Sequence, residues 1–383
     1  MKYMGSKRRM LRDGLGDLIC DQAQYALRIV DLFCGAGSVA WYAAQNTTVP
    51  VVAVDLQAYA VVIARAVIAR NSSLDPDQLK RKWLSQAKRA RSRSRLFRTA
   101  TLLQEDNKDI DKLVQEARAL CQKEPSKVGA VWGAYGGYYF NPAQALTFDY
   151  MLKHLPTEEP ERSVCLAATI SAASTCAAAP GHTAQPFRPT RTAEPYIREA
   201  WDRDPFVYCW KALREICPQH AKVSGEVFIA DAIEFAAGLK SSDLVIVDPP
   251  YSGVQYSRFY HVLETIARGY CSLVSGAGRY PPMSERPQSD FSKKSQSKLA
   301  LERLLKALSK AEATVIFTFP AGECSNGLSG RVVTNTARTW FDVEERLIGG
   351  QFSTLGGNNN HRASRKPSSE LLLLLRPKVQ RNS

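Results

Sequence analysis

The stretch Leu27-Arg-Ile-Val-Asp-Leu-Phe-Cys-Gly-Ala-Gly37 decides the fold. Its apolar run predicts a buried strand that ends in a glycine-rich turn, and Ser38–Gln45 predicts the helix that follows. The next residues repeat this order, with a β-branched strand at Val49–Val54 and an apolar helix at Ala58–Ala69. Continuous apolar strands that alternate with helices are typical of a parallel sheet covered on both faces. The expected fold class is therefore α/β.

The same pattern returns in the second half of the chain. Further strands are predicted at Val227–Ile229, Leu244–Val247, Thr314–Phe319 and Leu371–Leu375, with helices at Tyr256–Arg268 and Leu299–Leu308. Between Asp75 and His220 the strand pattern fades, and the predicted elements there are helices at Ile110–Gln122, Gln144–Leu155 and Val164–Ala178. The sequence thus predicts one α/β domain, residues 1–75 and 221–383, interrupted by a mainly helical insertion at 76–220.

Composition excludes several classes of protein. With 45% hydrophobic and 23% charged residues, the 383-residue chain can bury a core, so it is neither disordered nor collagenous. No stretch is long and apolar enough for a membrane protein with several spans. Asp13 and Asp17 interrupt the apolar core that a signal peptide needs, so a cytoplasmic protein is expected. The nine cysteines form no Cys-x-x-Cys pair and the five histidines do not cluster with them, which predicts neither a disulfide framework nor a metal site.

The positive charge of the chain is concentrated. The formal net charge is +14, and the segment from Lys80 to Arg98 contains basic but no acidic residues. Within it, four basic residues follow helical spacing: Lys88, Arg91, Arg95 and Arg98. One interpretation is a helix face that contacts DNA phosphates, whose binding would depend on salt. The other is a solvated surface helix.

Acidic residues at strand ends predict a nucleoside site. Gly35 and Gly37 allow the backbone to approach a ligand closely, and the helix after them points its N-terminus there. Asp55 ends the next strand, where a carboxylate can accept hydrogen bonds from ribose hydroxyls, and Asp231 ends a third. The full three-glycine fingerprint of dinucleotide sites is absent from the sequence, so a pyrophosphate is not expected.

The run Leu244-Val-Ile-Val-Asp248-Pro249-Pro250-Tyr251 carries the chemistry. Two prolines make the turn rigid and remove two backbone donors. Asp248 and the Pro249 carbonyl would accept both hydrogens of an exocyclic amino group, and Tyr251 would stack on a planar base. A simple Asp-Pro turn that closes a strand is the alternative for such a run.

These motifs resemble S-adenosylmethionine-dependent N6-adenine DNA methyltransferases of the alpha motif order. The resemblance implies a Rossmann-like methyltransferase sheet and S-adenosylmethionine as cofactor. It assigns catalysis to Asp248, Pro249, Pro250 and Tyr251 of the Asp-Pro-Pro-Tyr motif. The residues that it implies in cofactor binding are Tyr3, Lys7, Asp31, Phe33, Gly35, Gly37, Asp55, Asp231 and Asp248.

Three further stretches resemble a subgroup of type II restriction–modification methylases: Gly136–Gln144, Tyr256–Glu264 and Ser289–Phe291. This resemblance implies double-stranded DNA as partner, recognition by the insertion, a cognate restriction endonuclease, and a role in restriction–modification or phage defence. Methylation of N4 of cytosine is an alternative, although that reaction usually goes with Ser in place of Asp248. Two further alternatives are methylation of adenine in RNA and a catalytically silent DNA-binding subunit. The intact Asp248, Tyr251 and Lys7 argue against a silent subunit.

Overall fold

A computed structural model describes residues 7–105, 109–123, 128–351 and 367–378 of the chain. The strands are β1 (Arg28–Asp31), β2 (Val51–Asp55), β3 (Glu226–Ile229), β4 (Asp243–Val247), β5 (Thr314–Pro320), β6 (Phe341–Gln351) and β7 (Pro367–Pro377). The α-helices are α1 (Arg8–Met10), α2 (Gly16–Ala23), α3 (Ser38–Asn46), α4 (Ala58–Ile68), α5 (Pro76–Leu79), α6 (Ser85–Ser92), α7 (Arg95–Glu105), α8 (Ile110–Gln122), α9 (Ala130–Tyr135), α10 (Pro142–Lys153), α11 (Glu161–Cys176), α12 (Glu194–Trp201), α13 (Pro205–Ile216), α14 (Ala232–Ala236), α15 (Tyr256–Arg268), α16 (Ser297–Lys310) and α17 (Gly330–Trp340). Short π-helical turns at Leu11–Leu15 and Lys80–Leu84 precede α2 and α6, and 3₁₀ turns lie at Met283–Glu285 and Asp290–Ser292.

The strands form one mixed sheet in the order β3-β2-β1-β4-β5-β7-β6. The first five of these strands are parallel, and β7 is antiparallel to both of its neighbours. From β1 the chain proceeds outward to β2 and β3, then crosses over to β4 and β5 on the other side. The strand order therefore reverses between β1 and β4. In open α/β sheets, ligands bind beyond the carboxyl ends of the strands at such a point.

Helices cover both faces of this sheet. On one face, Val30, Val245 and Phe317 are fully buried in a core that includes α14, α16 and α17. The alternate residues of the same strands, such as Ile29 and Ile246, are equally buried and point to the opposite face. There α3 and α4 pack against β1, β2 and β3. Burial on both faces is why the central strands are mostly apolar, and the predicted α/β fold is confirmed.

The chain divides into two compact units. Among the described residues, the α/β unit comprises 7–71, 220–256, 287–351 and 367–378, and the helical unit comprises 72–105, 109–123, 128–219 and 257–286. The sequence predicts all of 221–383 in the α/β domain, whereas 257–286 belongs to the helical unit. Backbone of α15 explains the difference, since the Phe259 carbonyl accepts a hydrogen bond from the Thr183 amide over 2.8 Å. A local pattern predicts the helix but not the partner against which it packs.

The helical unit contains no strand among its described residues. Helix α10 begins with a capping box, in which the Asn141 and Gln144 side chains each accept from the backbone amide of the other. The Gln144 amide group also donates to the carbonyls of Ala200 and Arg203 at the end of α12. Asn141 and Gln144 of the Gly136–Gln144 stretch thus have a structural role in helix capping and packing. None of the helices in the described part of the chain is long and apolar enough to cross a membrane.

Candidate active site

Asp248 directly follows β4 and lies beside β5. The register pairs Val247 with Phe317, which places Asp248 next to Thr318. The Thr318 hydroxyl donates to Oδ1 of Asp248 over 2.8 Å, and Nζ of Lys7 lies 3.0 Å from the same oxygen. Within the described residues, Oδ2 of Asp248 receives no donor. The Asp248 side chain is 23% exposed.

Lys7 joins two carboxylates. Its side chain is only 3% exposed, and Nζ donates to Oε2 of Glu370 over 2.6 Å as well as contacting Asp248. Burial lowers the pKa of the Lys7 ammonium, but the two carboxylates more than compensate and hold this pKa above its ordinary value. The pKa of Asp248 is also raised, because burial outweighs the lowering by Lys7 and Thr318. With both carboxylates ionised, the three side chains carry one net negative charge, which favours a cationic ligand.

Glu370 and Thr318 were not among the predicted site residues. Glu370 precedes the apolar run of β7, and because β7 is antiparallel to β5, its start lies at the edge where the parallel strands end. The register pairs Glu370 with Pro320 and so brings its carboxylate toward the end of β5. In the sequence, Glu370 is recognisable as a charged residue before an apolar run, and Thr318 as a hydroxyl residue within a predicted strand. Neither feature reveals the strand direction that makes them neighbours.

Hydrogen bonds from a buried asparagine stabilise the Asp-Pro-Pro-Tyr turn. The Asn326 side chain is fully buried and donates to the carbonyls of Pro250 and Phe291, each over 3.0 Å. Tyr251 is half-buried against the core, and its hydroxyl interacts with Tyr256. Burial raises the pKa of Tyr251 to about 12, so its ring is neutral. In the part of the chain that the structure describes, no group donates to the Pro249 carbonyl.

The glycine turn after β1 adopts the left-handed conformation that its sequence allows. Gly35 has φ 47° and Gly37 has φ 77°. Asp31, at the end of β1, is 2% exposed and accepts from the Phe33 amide over 3.2 Å. Burial raises the pKa of Asp31 to about 8. The Phe33 ring packs edge-on against Phe291, with 5.4 Å between centroids, so the turn contacts the predicted Ser289–Phe291 stretch.

Asp55 and Asp231 occupy the ends of the next two strands. Asp55 accepts from the amides of Gly35 and Gln57, each over 2.9 Å, and thereby helps to hold the glycine turn. Oε1 of Gln57 is buried and has no hydrogen-bond partner among the described residues. Asp231 caps α14 by accepting from the amides of Ile233 and Glu234. The structure therefore brings Asp31, Asp55, Asp231 and Asp248 to one edge of the sheet, while Tyr3 lies outside the described residues.

The predicted basic helix face is not continuous. Lys88 and Arg91 lie on α6, which ends at Ser92, whereas Arg95 and Arg98 lie on α7. Lys88, Arg95 and Arg98 are exposed. Arg91 is half-buried: it donates to Thr147 over 3.0 Å, and its guanidinium stacks 3.9 Å from the Phe97 ring centroid. Burial lowers the pKa of Arg91. The expectation of one helix face was wrong, and the contacts of Arg91 stabilise the helical unit itself.

A comparison with known protein families identifies the family of this chain. A family model described as D12 class N6 adenine-specific DNA methyltransferase matches residues 3–126 and 205–315, which is more than half of the chain. The chain belongs to this family. It is therefore an N6-adenine DNA methyltransferase, with DNA as its substrate, as the resemblance of its motifs implied. No curated protein matches the chain.

The family match covers the site residues of this methyltransferase that the sequence predicted, but not the two that only the structure revealed. Lys7, Asp248 and Tyr251 lie inside the matched ranges. Thr318 and Glu370 lie after residue 315, where the match ends, although they contact Asp248 and Lys7 directly. Two of the residues that surround Lys7 and Asp248 therefore lie outside the range that the family model covers.

Proposed function

We propose that this methyltransferase transfers the methyl group of S-adenosylmethionine to N6 of an adenine flipped out of duplex DNA. One observation carries the proposal: Lys7 and Thr318 both contact Oδ1 of Asp248, immediately before the Pro-Pro-Tyr turn and at the point where the strand order reverses. This arrangement leaves one oxygen of a rigidly held carboxylate to accept a hydrogen bond from a substrate. The family match supports adenine as the base.

The residues at the sheet edge fit S-adenosylmethionine. When bound, this cofactor supplies a methyl group activated by a positively charged sulfonium. The net negative charge of Lys7, Asp248 and Glu370 suits a cation. The buried Oε1 of Gln57, which has no partner among the described residues, offers an acceptor next to Asp55. We assign cofactor binding to Tyr3, Lys7, Asp31, Phe33, Gly35, Gly37, Asp55, Asp231 and Asp248.

In the proposed reaction, the Asp-Pro-Pro-Tyr turn stacks on the target adenine, orients its N6 amino group and stabilises the charge that develops there. Flipping the base costs a few kcal/mol of unstacking, and stacking on the Tyr251 ring offsets part of this cost. The N6 amino group donates one hydrogen to Oδ2 of Asp248 and the other to the Pro249 carbonyl. These two bonds orient the nitrogen lone pair, and such positioning supplies a large share of the acceleration. Asp248 would then stabilise the positive charge that develops on N6 as the new N–C bond forms and the S–C bond breaks. S-adenosylhomocysteine would leave as a neutral thioether, and N6 would release one proton to solvent.

We propose that the helical unit recognises and holds the DNA. Lys88, Arg95 and Arg98 support this role because they are exposed and cationic, which suits contacts to phosphates. The biological setting that we propose is restriction–modification or phage defence with a cognate restriction endonuclease, supported by the motif resemblance of the Tyr256–Glu264 stretch.

The proposal is tested with purified protein, S-adenosylmethionine and duplex DNA of mixed sequence. Nucleoside mass spectrometry of the product is expected to show N6-methyladenine, and Asp248→Ala is the matched inactive control. N4-methylcytosine in the product, or faster methylation of RNA than of duplex DNA, would overturn the proposed reaction. Methylation-sensitive sequencing of the same DNA then gives the sequence context of the modified base.

A further inference from the structure

Arg118 and Arg279, in the helical unit, share one tyrosine ring. The guanidinium carbons of Arg118 and Arg279 lie 4.2 Å and 4.5 Å from the centroid of Tyr138. Neither arginine forms an ion pair with a carboxylate in the described part of the chain. Burial lowers the pKa of Arg118, and the nearby charge of Arg279 lowers it further. Two uncompensated cations at one aromatic ring form a site that favours an anion.

Backbone carbonyls orient both arginines. Arg279 donates from Nε to the Ala134 carbonyl over 2.8 Å and from Nη2 to the Gly133 carbonyl over 3.2 Å, near the C-terminal end of α9. Arg118 donates from Nε to the Gly137 carbonyl over 3.1 Å. Since a guanidinium has five N–H donors, each arginine keeps several for a ligand. Carbonyl acceptors fix the geometry of the two groups without neutralising their charge.

A buried polar network holds Arg279 in an unusual conformation. Arg279 has φ 55°, in the left-handed region that residues with a side chain rarely adopt. The carbonyl of the preceding Gly278 accepts from the Tyr139 hydroxyl over 2.9 Å and lies 2.8 Å from Nε2 of His261. Both side chains are at most 2% exposed. Strained residues that their surroundings hold in place occur preferentially at functional sites.

Two stretches that the sequence singled out thus converge on this turn. Tyr138 and Tyr139 belong to Gly136–Gln144, and His261 belongs to the helix after the Asp-Pro-Pro-Tyr motif. Burial lowers the pKa of His261 to about 4, so at neutral pH the imidazole is uncharged and can donate from only one nitrogen. The shorter of its two carbonyl contacts is the one to Gly278. Each stretch therefore contributes a buried donor that positions Arg279.

We propose that Arg118, Tyr138 and Arg279 form a phosphate-binding site for the DNA substrate. The chemistry is that of a DNA backbone phosphate, which accepts charge-assisted hydrogen bonds from guanidinium groups. Contacts of this kind set affinity and register on the duplex, and they do not determine which base is methylated. This inference rests on the proposed role of the helical unit in DNA binding, and it adds a site outside the Lys88–Arg98 segment that the charge pattern indicated.

The test measures the salt dependence of duplex DNA binding by fluorescence anisotropy for Arg279→Gln, Arg118→Gln and Arg279→Lys. Each loss of a phosphate contact reduces the slope of log K against log salt by about 0.9 and raises Kd by about five- to tenfold at 0.1 M salt. Arg279→Lys keeps the charge and is expected to keep most of the slope, which a purely structural role of Arg279 would not produce. At saturating DNA, kcat is expected to stay unchanged while KM for DNA rises.

Arg162→Gln is the matched control. Arg162 lies in the same unit, is exposed and donates to a backbone carbonyl, that of Pro156, over 3.0 Å. Its loss is expected to leave the slope unchanged. An unchanged slope in both Arg279→Gln and Arg118→Gln, or an equal decrease in Arg162→Gln, would overturn the proposal. Should Arg279→Gln fail to fold, as judged by thermal unfolding, the slope of Arg118→Gln decides.

Discussion

The ammonium of Lys7 lies 3.0 Å from Oδ1 of Asp248, and the same ammonium binds Glu370. A buried lysine between two carboxylates stabilises the ionised form of each, which burial alone would disfavour. In the mechanism that we propose, this contact keeps Asp248 as the hydrogen-bond acceptor for the target amino group. Lys7 and Glu370, which are far apart in the chain, thus both contribute to the environment of the carboxylate that we propose to be catalytic.

Removing the carboxylate of Asp248 is expected to abolish methyl transfer. In Asp248→Ala the amino group of the target adenine loses an acceptor and its developing charge loses a counter-charge, so kcat should fall at least about a hundredfold. Cofactor binding, measured by calorimetry, should weaken less than methyl transfer, because the variant loses the net negative charge beside Lys7 but keeps Asp55 and the glycine turn. Full activity in Asp248→Ala would contradict the proposed catalytic role of Asp248. Asp342→Ala, which removes an exposed carboxylate of the same unit, is the control.

Lys7 is expected to set the acid limb of the pH profile. Burial raises the pKa of Asp248 and Lys7 lowers it, so Lys7→Met should raise this pKa further. Because the ionised form of Asp248 is the acceptor, activity in the variant should then be lost at a higher pH than in the wild type. The measurement is kcat against pH at saturating cofactor and DNA. Lys298→Met, at an exposed lysine of α16, should leave the profile in place, and an unshifted limb in Lys7→Met would contradict the coupling.

Asp55→Ala is expected to weaken cofactor binding. Loss of a charged hydrogen bond costs about 1.5–3 kcal/mol, so Kd for S-adenosylmethionine should rise by about tenfold or more. The variant also frees the amides of Gly35 and Gln57, whereas Asp55→Asn keeps a neutral acceptor for them. Calorimetry should therefore rank wild type, Asp55→Asn and Asp55→Ala in order of decreasing affinity. Equal affinities would count against a role of Asp55 at the ribose.

Arg91 should behave differently from Arg95 and Arg98. Arg91→Gln loses the stacking on Phe97 and the hydrogen bond to Thr147, so the free energy of unfolding should fall by about 1–3 kcal/mol. Arg95→Gln and Arg98→Gln should leave stability nearly unchanged and reduce the salt slope of DNA binding. Thermal unfolding and DNA binding at several salt concentrations separate the two effects. A slope change in Arg91→Gln as large as in the other two would restore Arg91 to the DNA-contacting set.

Much of the α/β core could be predicted because its strands are buried on both faces. In this core, β4 and β5 differ from prediction only at their termini. In the helical unit, α8 begins and ends where it was predicted, as does α15, nearly all of which belongs to that unit. The edge strand β6 was not predicted. It contains the three consecutive charged residues Glu344, Glu345 and Arg346, and it lacks the continuous apolar run of a buried strand.

The basic segment shows the limit of spacing arguments. Helical periodicity places Lys88, Arg91, Arg95 and Arg98 on one face only if the helix continues, and it ends at Ser92. Neither Gly nor Pro marks this break in the sequence. At the break, the Ser94 hydroxyl accepts from the Phe97 amide, and Arg91 packs on Phe206, more than a hundred positions away in the chain.

The sequence by itself determined the parallel sheet, the left-handed glycine turn after β1 and the Asp-Pro-Pro-Tyr turn after β4, because each follows from local backbone preferences and hydrophobic patterning. Only the tertiary structure decided that Glu370 and Thr318 complete the environment of Lys7 and Asp248, and that Tyr139 and His261 position Arg279. These relationships depend on strand direction and on packing between distant segments. Both are set by the burial of apolar surface over the whole fold, which no local pattern contains.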